Sequence, residues 1–276
     1  MKIKTSKGDR TFQVINILIF AIFAIICAYP FYYLIINSIS ANDLSASGKV
    51  NFLPHGFQLE NYVKVFQLNG LGTAAMVSLG RTVIGTICTV LASVYLGFMF
   101  TQQRMWHRKL WYRFMVITMY FNAGLIPMYM TMKTLHLTNS FWVYIIPAIV
   151  QPFNIIMAKT YVESIPPALQ EAAEIDGATH MQTLFKVKIP MVMPSITICI
   201  FLTLSNSFKL FDQNLSLTAG APLHKTEMLA LNIYQTFYGK VGQEGVGQAK
   251  AVLFFIIVTA ISVIQLYATR KKEVEQ

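Results

Sequence analysis

The sequence predicts an all-α integral membrane protein with six transmembrane helices and both termini in the cytoplasm. Composition, the spacing of long apolar runs and the placement of Lys and Arg carry that expectation. Of 276 residues, 55% are hydrophobic and only 12% are charged, whereas soluble domains carry about 25% charged residues. Mean hydropathy is +0.51. This composition excludes intrinsic disorder, a soluble enzyme and a secreted disulfide scaffold. Cys27, Cys88 and Cys199 sit singly in apolar runs and read as small buried hydrophobes.

The spans follow in order. Val14 to Ile36 is free of charge after a basic arm. It exceeds the ~7–15 apolar residues of a secretory signal core and is taken as the first span, with Pro30 expected to kink it. Further runs cover Gly72–Phe100, Leu110–Met132, Phe141–Val162, Met191–Phe211 and Ala251–Ala268, each near or above the ~20 residues that cross a hydrocarbon core. The fourth is interrupted by Pro147, Pro152 and Lys159, and Lys209 lies near the end of the fifth.

Six spans place both termini on one side, and the basic residues choose it. Lys2, Lys4, Lys7 and Arg10 precede the first span, and Arg104, Arg108, Lys109 and Arg113 lie between the second and third. Lys159, Lys186 and Lys188 flank the link between the fourth and fifth, and Arg270, Lys271 and Lys272 follow the sixth. The opposite loops hold only Lys49, Lys64, Lys133, Lys225, Lys240 and Lys250. The asymmetry assigns the richer side to the cytoplasm. The net charge of +10 is thereby topology, and nucleic acid is not expected as a partner.

The outside segments are 40–71, with a short amphipathic stretch at Leu59–Phe66, and 212–250, rich in glycine. The cytoplasmic link between the fourth and fifth spans reads Ile-Pro-Pro-Ala-Leu-Gln-Glu-Ala-Ala-Glu-Ile-Asp-Gly-Ala-Thr-His over 165–180. Pro166 and Pro167 suit a first helical turn, Glu171 to Glu174 form helix readily, and Gly177 stops it in the left-handed region. A second short helix is expected from about Thr179 to Lys186, with Pro190 and Pro194 at the entry to the fifth span. Such a helix pair with small exposed alanines suits docking by a protein. A lipid-surface helix would want Lys and Arg on its polar face, and the first helix here has only acids.

Glu171-Ala172-Ala173, Gly177, then Val187, Ile189 and Pro190 together resemble the signature of permease subunits of binding-protein-dependent ABC importers. Val187 and Ile189 stand where that family more often has Ile and Leu. Phe52-Leu53-Pro54 with Glu60-Asn61-Tyr62, Ser78-Leu79-Gly80-Arg81-Thr82 with Gly85-Thr86, and Phe211-Asp212 through Leu217-Thr218-Ala219-Gly220-Ala221-Pro222 are similar to its carbohydrate-uptake branch, Ala221 replacing a usual glycine. The resemblance is greatest to permeases for oligosaccharides or multiple sugars.

The resemblance implies a type I ABC importer permease fold in a multi-pass protein of a prokaryotic cytoplasmic membrane. It implies one permease domain over 1–276, with a cytoplasmic arm at 1–12, a coupling loop at 163–190 and outside loops at 40–71 and 212–250. It implies a second, different permease subunit, two ATP-binding subunits, an extracytoplasmic solute-binding protein and an oligosaccharide substrate. ATP and magnesium belong to the ATPase partners, no cofactor is expected on this chain, and Glu171, Ala172, Ala173, Asp176 and Gly177 would couple it to them.

Arg81 is the costliest residue within a span. The resemblance makes Arg-Thr a recurring feature at this point and implies a structural role toward a subunit interface, with sugar binding as the alternative. Lys209 and Asp212 are three apart and are expected to pair. Asn206 and Ser207 either bind sugar hydroxyls or join helices. Tyr120, with Asn206, Ser207, Lys209 and Asp212, completes the candidate substrate path. The five histidines lack metal-ligand spacing. No hydrolase motif, phosphate-binding Gly-x-x-x-x-Gly-Lys or intramembrane carboxylate pair occurs, which disfavours an enzyme. An ion-coupled secondary transporter and an importer of a non-sugar solute are the alternatives.

Overall fold

A computed structural model describes residues 7–68, 70–121 and 123–270. Lys2, Lys4, Lys271 and Lys272 lie outside the described residues, as do the side chains of Lys7 and Glu171. Every regular element among the described residues is helical. In chain order these are α1 (Lys7–Ser38), α2 (Asn42–Ala46), α3 (Glu60–Gln67), α4 (Leu71–Thr101), α5 (Arg108–Tyr120), α6 (Leu125–Thr134) and α7 (Pro152–Glu163). There follow α8 (Pro167–Ile175), α9 (His180–Thr183), α10 (Ile189–Met191), α11 (Met193–Phe208), α12 (Asp212–Leu217), α13 (Leu229–Gly239) and α14 (Glu244–Arg270).

Three of these, α1, α4 and α14, are long and apolar enough to cross a membrane. A fourth crossing forms if the 3-10 turns of Phe141–Ala148 and α7, bent by 43°, count as one span. The expected third span is divided instead, because Gly124 takes φ +82° between α5 and α6. The expected fifth is shortened to the 16 residues of α11, about 24 Å at 1.5 Å per residue. The expected outside loop at 212–250 is largely helical. Its glycines at 245 and 247 lie inside α14, where they admit neighbours rather than loosen the chain: a Cβ on Gly245 would meet Asn42 Oδ1 at 2.9 Å, and one on Gly247 would meet Phe237 Cβ at 2.9 Å.

The chain forms two compact units. In the first, Met1–Leu68 with Ile233–Leu253, α1 continues unbroken through Pro30. Its large apolar side chains from Phe12 to Ile26 are exposed, a surface suited to hydrocarbon. Polar bonds knot the end of α1 to the segment that follows. Asn61 donates to the carbonyls of Ser38 and Ser40 at 3.0 and 2.9 Å, Ser45 donates to Asn37 Oδ1 at 2.8 Å, and Lys64 pairs with Glu60 at 2.7 Å on α3.

The second unit, Asn69–Asn232 with Phe254–Gln276, is organised by α4. Ser78, Thr82, Thr86, Thr89, Ser93 and Gly97 are all buried and recur every three or four residues, which puts them on one face. Small residues on such a face let helices approach closely without a large side chain between them. Helices α7 and α11 pack on α4. At the α7 crossing a Cβ on Gly97 would lie 2.8 Å from Ala158 Cβ and 2.9 Å from the Lys159 backbone nitrogen. Phe100, Met115 and Ile155 close one end of this packing, and Met132, Val143, Tyr144, Leu217 and Met228 form another core.

Beside that second core, the amide of Asn214 donates to Tyr144 Oη at 2.6 Å and to the Thr226 carbonyl at 3.0 Å, while its Oδ1 accepts from Met228 N at 2.8 Å. This buried, well-partnered network fixes the segment between α12 and α13. Gly97→Val should force α4 and α7 apart. Overpacking of a filled contact costs about 1–3 kcal/mol, so the detergent-solubilised protein should unfold at a lower temperature than wild type in a thermal scan.

Candidate functional site

Two regions hold the residues singled out by the sequence. The first follows α7. Helix α8 ends at Ile175, and Gly177 takes φ +76°. Ala178 N donates to the Ala173 carbonyl at 2.9 Å, the long closing bond of a Schellman-type end. Thr179 then starts α9 with a reciprocal pair: its backbone N–H donates to Gln182 Oε1 at 2.9 Å, and Gln182 N donates to Thr179 Oγ1 at 3.3 Å. This is a capping box, legible as Thr-x-x-Gln in the sequence. The second short helix is more irregular than expected, passing after Thr183 into a π turn at Leu184–Lys188.

Ala172, Asp176 and Gly177 are exposed and Ala173 is half-buried. Ile175 is 85% exposed and Leu169 41%. Leu169, Ala172 and Ile175 recur every three residues and present a low apolar ridge on one face of α8. Glu171 lies on the same helix, with its side chain outside the description.

The second region surrounds Arg81 on α4. Its Nη1 donates to Ser207 Oγ on α11, and Ser207 Oγ in turn donates to the Thr203 carbonyl at 2.6 Å. Gly85, one turn on, gives the guanidinium room: a Cβ there would lie 3.0 Å from Nη1. The bend before α7 supplies the opposite wall. Thr89 donates to the Ala148 carbonyl at 2.9 Å, satisfying backbone that the break frees, and Asn154 Nδ2 donates to Thr203 Oγ1 at 3.0 Å. Between them lies a cavity of about 390 Å³ lined by Arg81, Gln151, Phe153, Asn154, Thr203 and Asn206, among others.

The structure thus brings Asn206 and Arg81 to one cavity and puts the fully buried Ser207 behind it. Tyr120, at the end of α5 and 77% exposed, is not among the residues lining it. Lys209 and Asp212 are exposed and are not joined by an ion pair among the described residues. The helix stops at Phe208 and Lys209 caps it, so three-residue spacing no longer puts the two side chains on one face. Gln151, Asn154 and Thr203 were missed. For Gln151 and Asn154 the signal was present in the polar residues beside Pro152, since broken helices in membranes expose backbone only where they line a cavity or pack in protein; Thr203 carried no such mark.

Residues 90–274 match the family described as binding-protein-dependent transport system inner membrane component. The chain belongs to that family. Its members are membrane components of transport systems, not enzymes. The chain is 52% identical over 141 residues to the probable starch degradation products transport system permease protein AmyD of Thermoanaerobacterium thermosulfurigenes, covering 50% of this chain and 48% of the relative. It therefore spans about half the length of that relative. It is 31% identical over 194 residues to the polygalacturonan/rhamnogalacturonan transport system permease protein YtcP of Bacillus subtilis (strain 168), covering 70% and 68%. A chain of a crystal structure of a bacterial ABC transporter involved in the import of the acidic polysaccharide alginate superposes with TM-score 0.80 at 25% identity, over 96% of this chain and 99% of that one. The fold is that of an ABC importer permease.

Among the described residues, chain neighbours aside, nothing lies within 4 Å of a Cβ built on Gly177, so backbone strain dominates what is tolerated there. Gly177→Val should cost about 1–3 kcal/mol for a forced left-handed residue, whereas Gly177→Asn should be tolerated. Hydrogen exchange of the amides from Thr179 to Lys188 should accelerate in the valine variant only.

Proposed function

We propose that this chain is the transmembrane subunit of an ATP-driven importer that carries an oligosaccharide into the cytoplasm. It would receive the sugar from an extracytoplasmic binding protein and pair with a second, different permease. Two ATPase subunits, holding ATP and magnesium, would engage its 165–190 loop. Similarity to permeases named for starch degradation products and for polygalacturonan and rhamnogalacturonan supports the sugar assignment, as does the likeness to an alginate importer.

The observation that carries the coupling role is the exposed ridge of Leu169, Ala172 and Ile175 beside the turn at Gly177. An Ile side chain 85% exposed at the end of a short helix is apolar area that a partner's groove can remove from water, at roughly 25 cal/mol per Å². Glu171 adds a charge on the same helix, and Ala172 and Ala173 let the partner come close. Closure of the ATPase pair would then displace this loop and turn the pathway outward, a rigid-body switch between two states. Six crossings with both termini in the cytoplasm agree with the basic residues, the pairs α5–α6 and Phe141–Glu163 each serving as one interrupted span.

The test is co-purification with the ATPase subunits. Glu171→Ala should leave the membrane level intact, since surface changes are usually within about 0.5 kcal/mol. It should also lower ATPase recovery and abolish uptake, because an interfacial charge left unpaired costs roughly 2–5 kcal/mol. Full recovery with full uptake would remove Glu171 from the coupling contact and leave that contact to Ala172, Ala173 and Gly177. Reporter fusions after Gln276 and between Gly239 and Gly247 should report opposite sides of the membrane. Signals from the same side would overturn the six-span topology.

A further inference from the structure

Arg81 is a buried charge with no ion-pair partner among the described residues. Its side chain belongs to a residue 4% exposed, and no Asp or Glu occurs between Glu60 and Glu163 or anywhere along α11. The ion pairs among the described residues do not include it. Nη1 donates to Ser207, while Nε has no acceptor among the described residues. A guanidinium stays cationic in such a setting, and an ionised group removed from water without an opposite charge is costly. No direct ion pair among the described residues balances Arg81, which leaves its guanidinium available to an anion from outside this chain.

The cavity in front of it indicates what brings that charge. Its volume, about 390 Å³, falls within the ~300–1,000 Å³ of small-molecule sites. The amides of Gln151 and Asn206 and the hydroxyl of Thr203 supply donors and acceptors for sugar hydroxyls, and Phe153 supplies an apolar wall. Asn206 is exposed although its neighbour Ser207 is fully buried, so its amide is accessible at the cavity edge. An acidic side chain from a partner subunit would neutralise Arg81 but would make no use of these groups. A sugar acid uses both.

We infer that this cavity is a subsite for an anionic sugar, in which Arg81 binds the carboxylate of a uronic-acid unit while Gln151, Thr203 and Asn206 take its hydroxyls. This rests on the oligosaccharide-importer reading and narrows it to a substrate class. Guanidinium and carboxylate match as planar, charge-assisted partners. A neutral sugar of the same size leaves the guanidinium unpaired, so the site discriminates by charge.

The test uses the complete transporter in lipid nanodiscs without binding protein, titrated calorimetrically with trigalacturonate and with its neutral methyl ester. Wild type should bind the acid at least ten-fold more tightly than the ester. Arg81→Gln should erase that preference, Arg81→Lys should keep part of it, and Asn206→Ala should weaken acid and ester alike. Equal binding of the two by wild type, binding of neither, or a preference that survives in Arg81→Gln would overturn the proposal. Loss of co-elution with the second permease in Arg81→Gln would assign the balancing carboxylate to the partner subunit and overturn it as well. Uptake into proteoliposomes with binding protein separates the two readings. Import of maltotriose without any acid preference leaves the sugar importer standing and removes this subsite, whereas import of none of the three sugars removes both.

Discussion

No water is at hand in hydrocarbon to take a stray hydrogen bond, and that constraint organises the second unit. Side chains of α4 and α11 make hydrogen bonds at its helix contacts. Thr89 accommodates the carbonyl freed before α7, Asn154 reaches Thr203 across the helix contact, and Arg81 reaches Ser207. The small-residue face of α4 is what brings these groups within bonding distance. Larger residues at Ser93 or Gly97 would separate the helices and leave the same polar atoms without partners, at a cost of about 1–3 kcal/mol for each buried group.

The long apolar helices were legible because their signal is simple. Gly72–Phe100 was read for a helix that runs Leu71–Thr101, and the turn at Gly177 followed from one glycine between two helix-forming stretches. The parts that were not legible share a cause. Gly124 divides a run whose composition alone looks continuous. Gly245 and Gly247 look like loop residues and are instead contact points inside α14. A glycine that opens the chain and one that admits a neighbour are identical in sequence, and only the tertiary partner tells them apart.

The same ambiguity touched the candidate site. Lys209 and Asp212 are correctly spaced for a helical pair, yet α11 ends at Phe208, before both of them. By their sequence Asn206 and Ser207 either bind sugar hydroxyls or join helices, and the structure gives them different settings. Ser207 is wholly buried and engaged with Arg81, whereas Asn206 faces the cavity. Adjacent residues on a helix point about 100° apart, so a two-residue motif at a helix contact naturally supplies one group to each environment.

The attachment of α7 at two points has a mechanical consequence. Near its start, Asn154 bonds Thr203 on α11, and one turn further on Ala158 seats against Gly97 of α4. A rod fastened to two neighbouring beams resists pivoting on either. Only Ser164, Ile165 and Pro166 separate the end of α7 from the start of α8 at Pro167, and two successive prolines stiffen that link. Motion applied at α8 would therefore not be dissipated as local flexing. It would reach the far end of α7 as a tilt of the packed helices, with the short exposed helix as the handle of a lever whose load is the cavity wall.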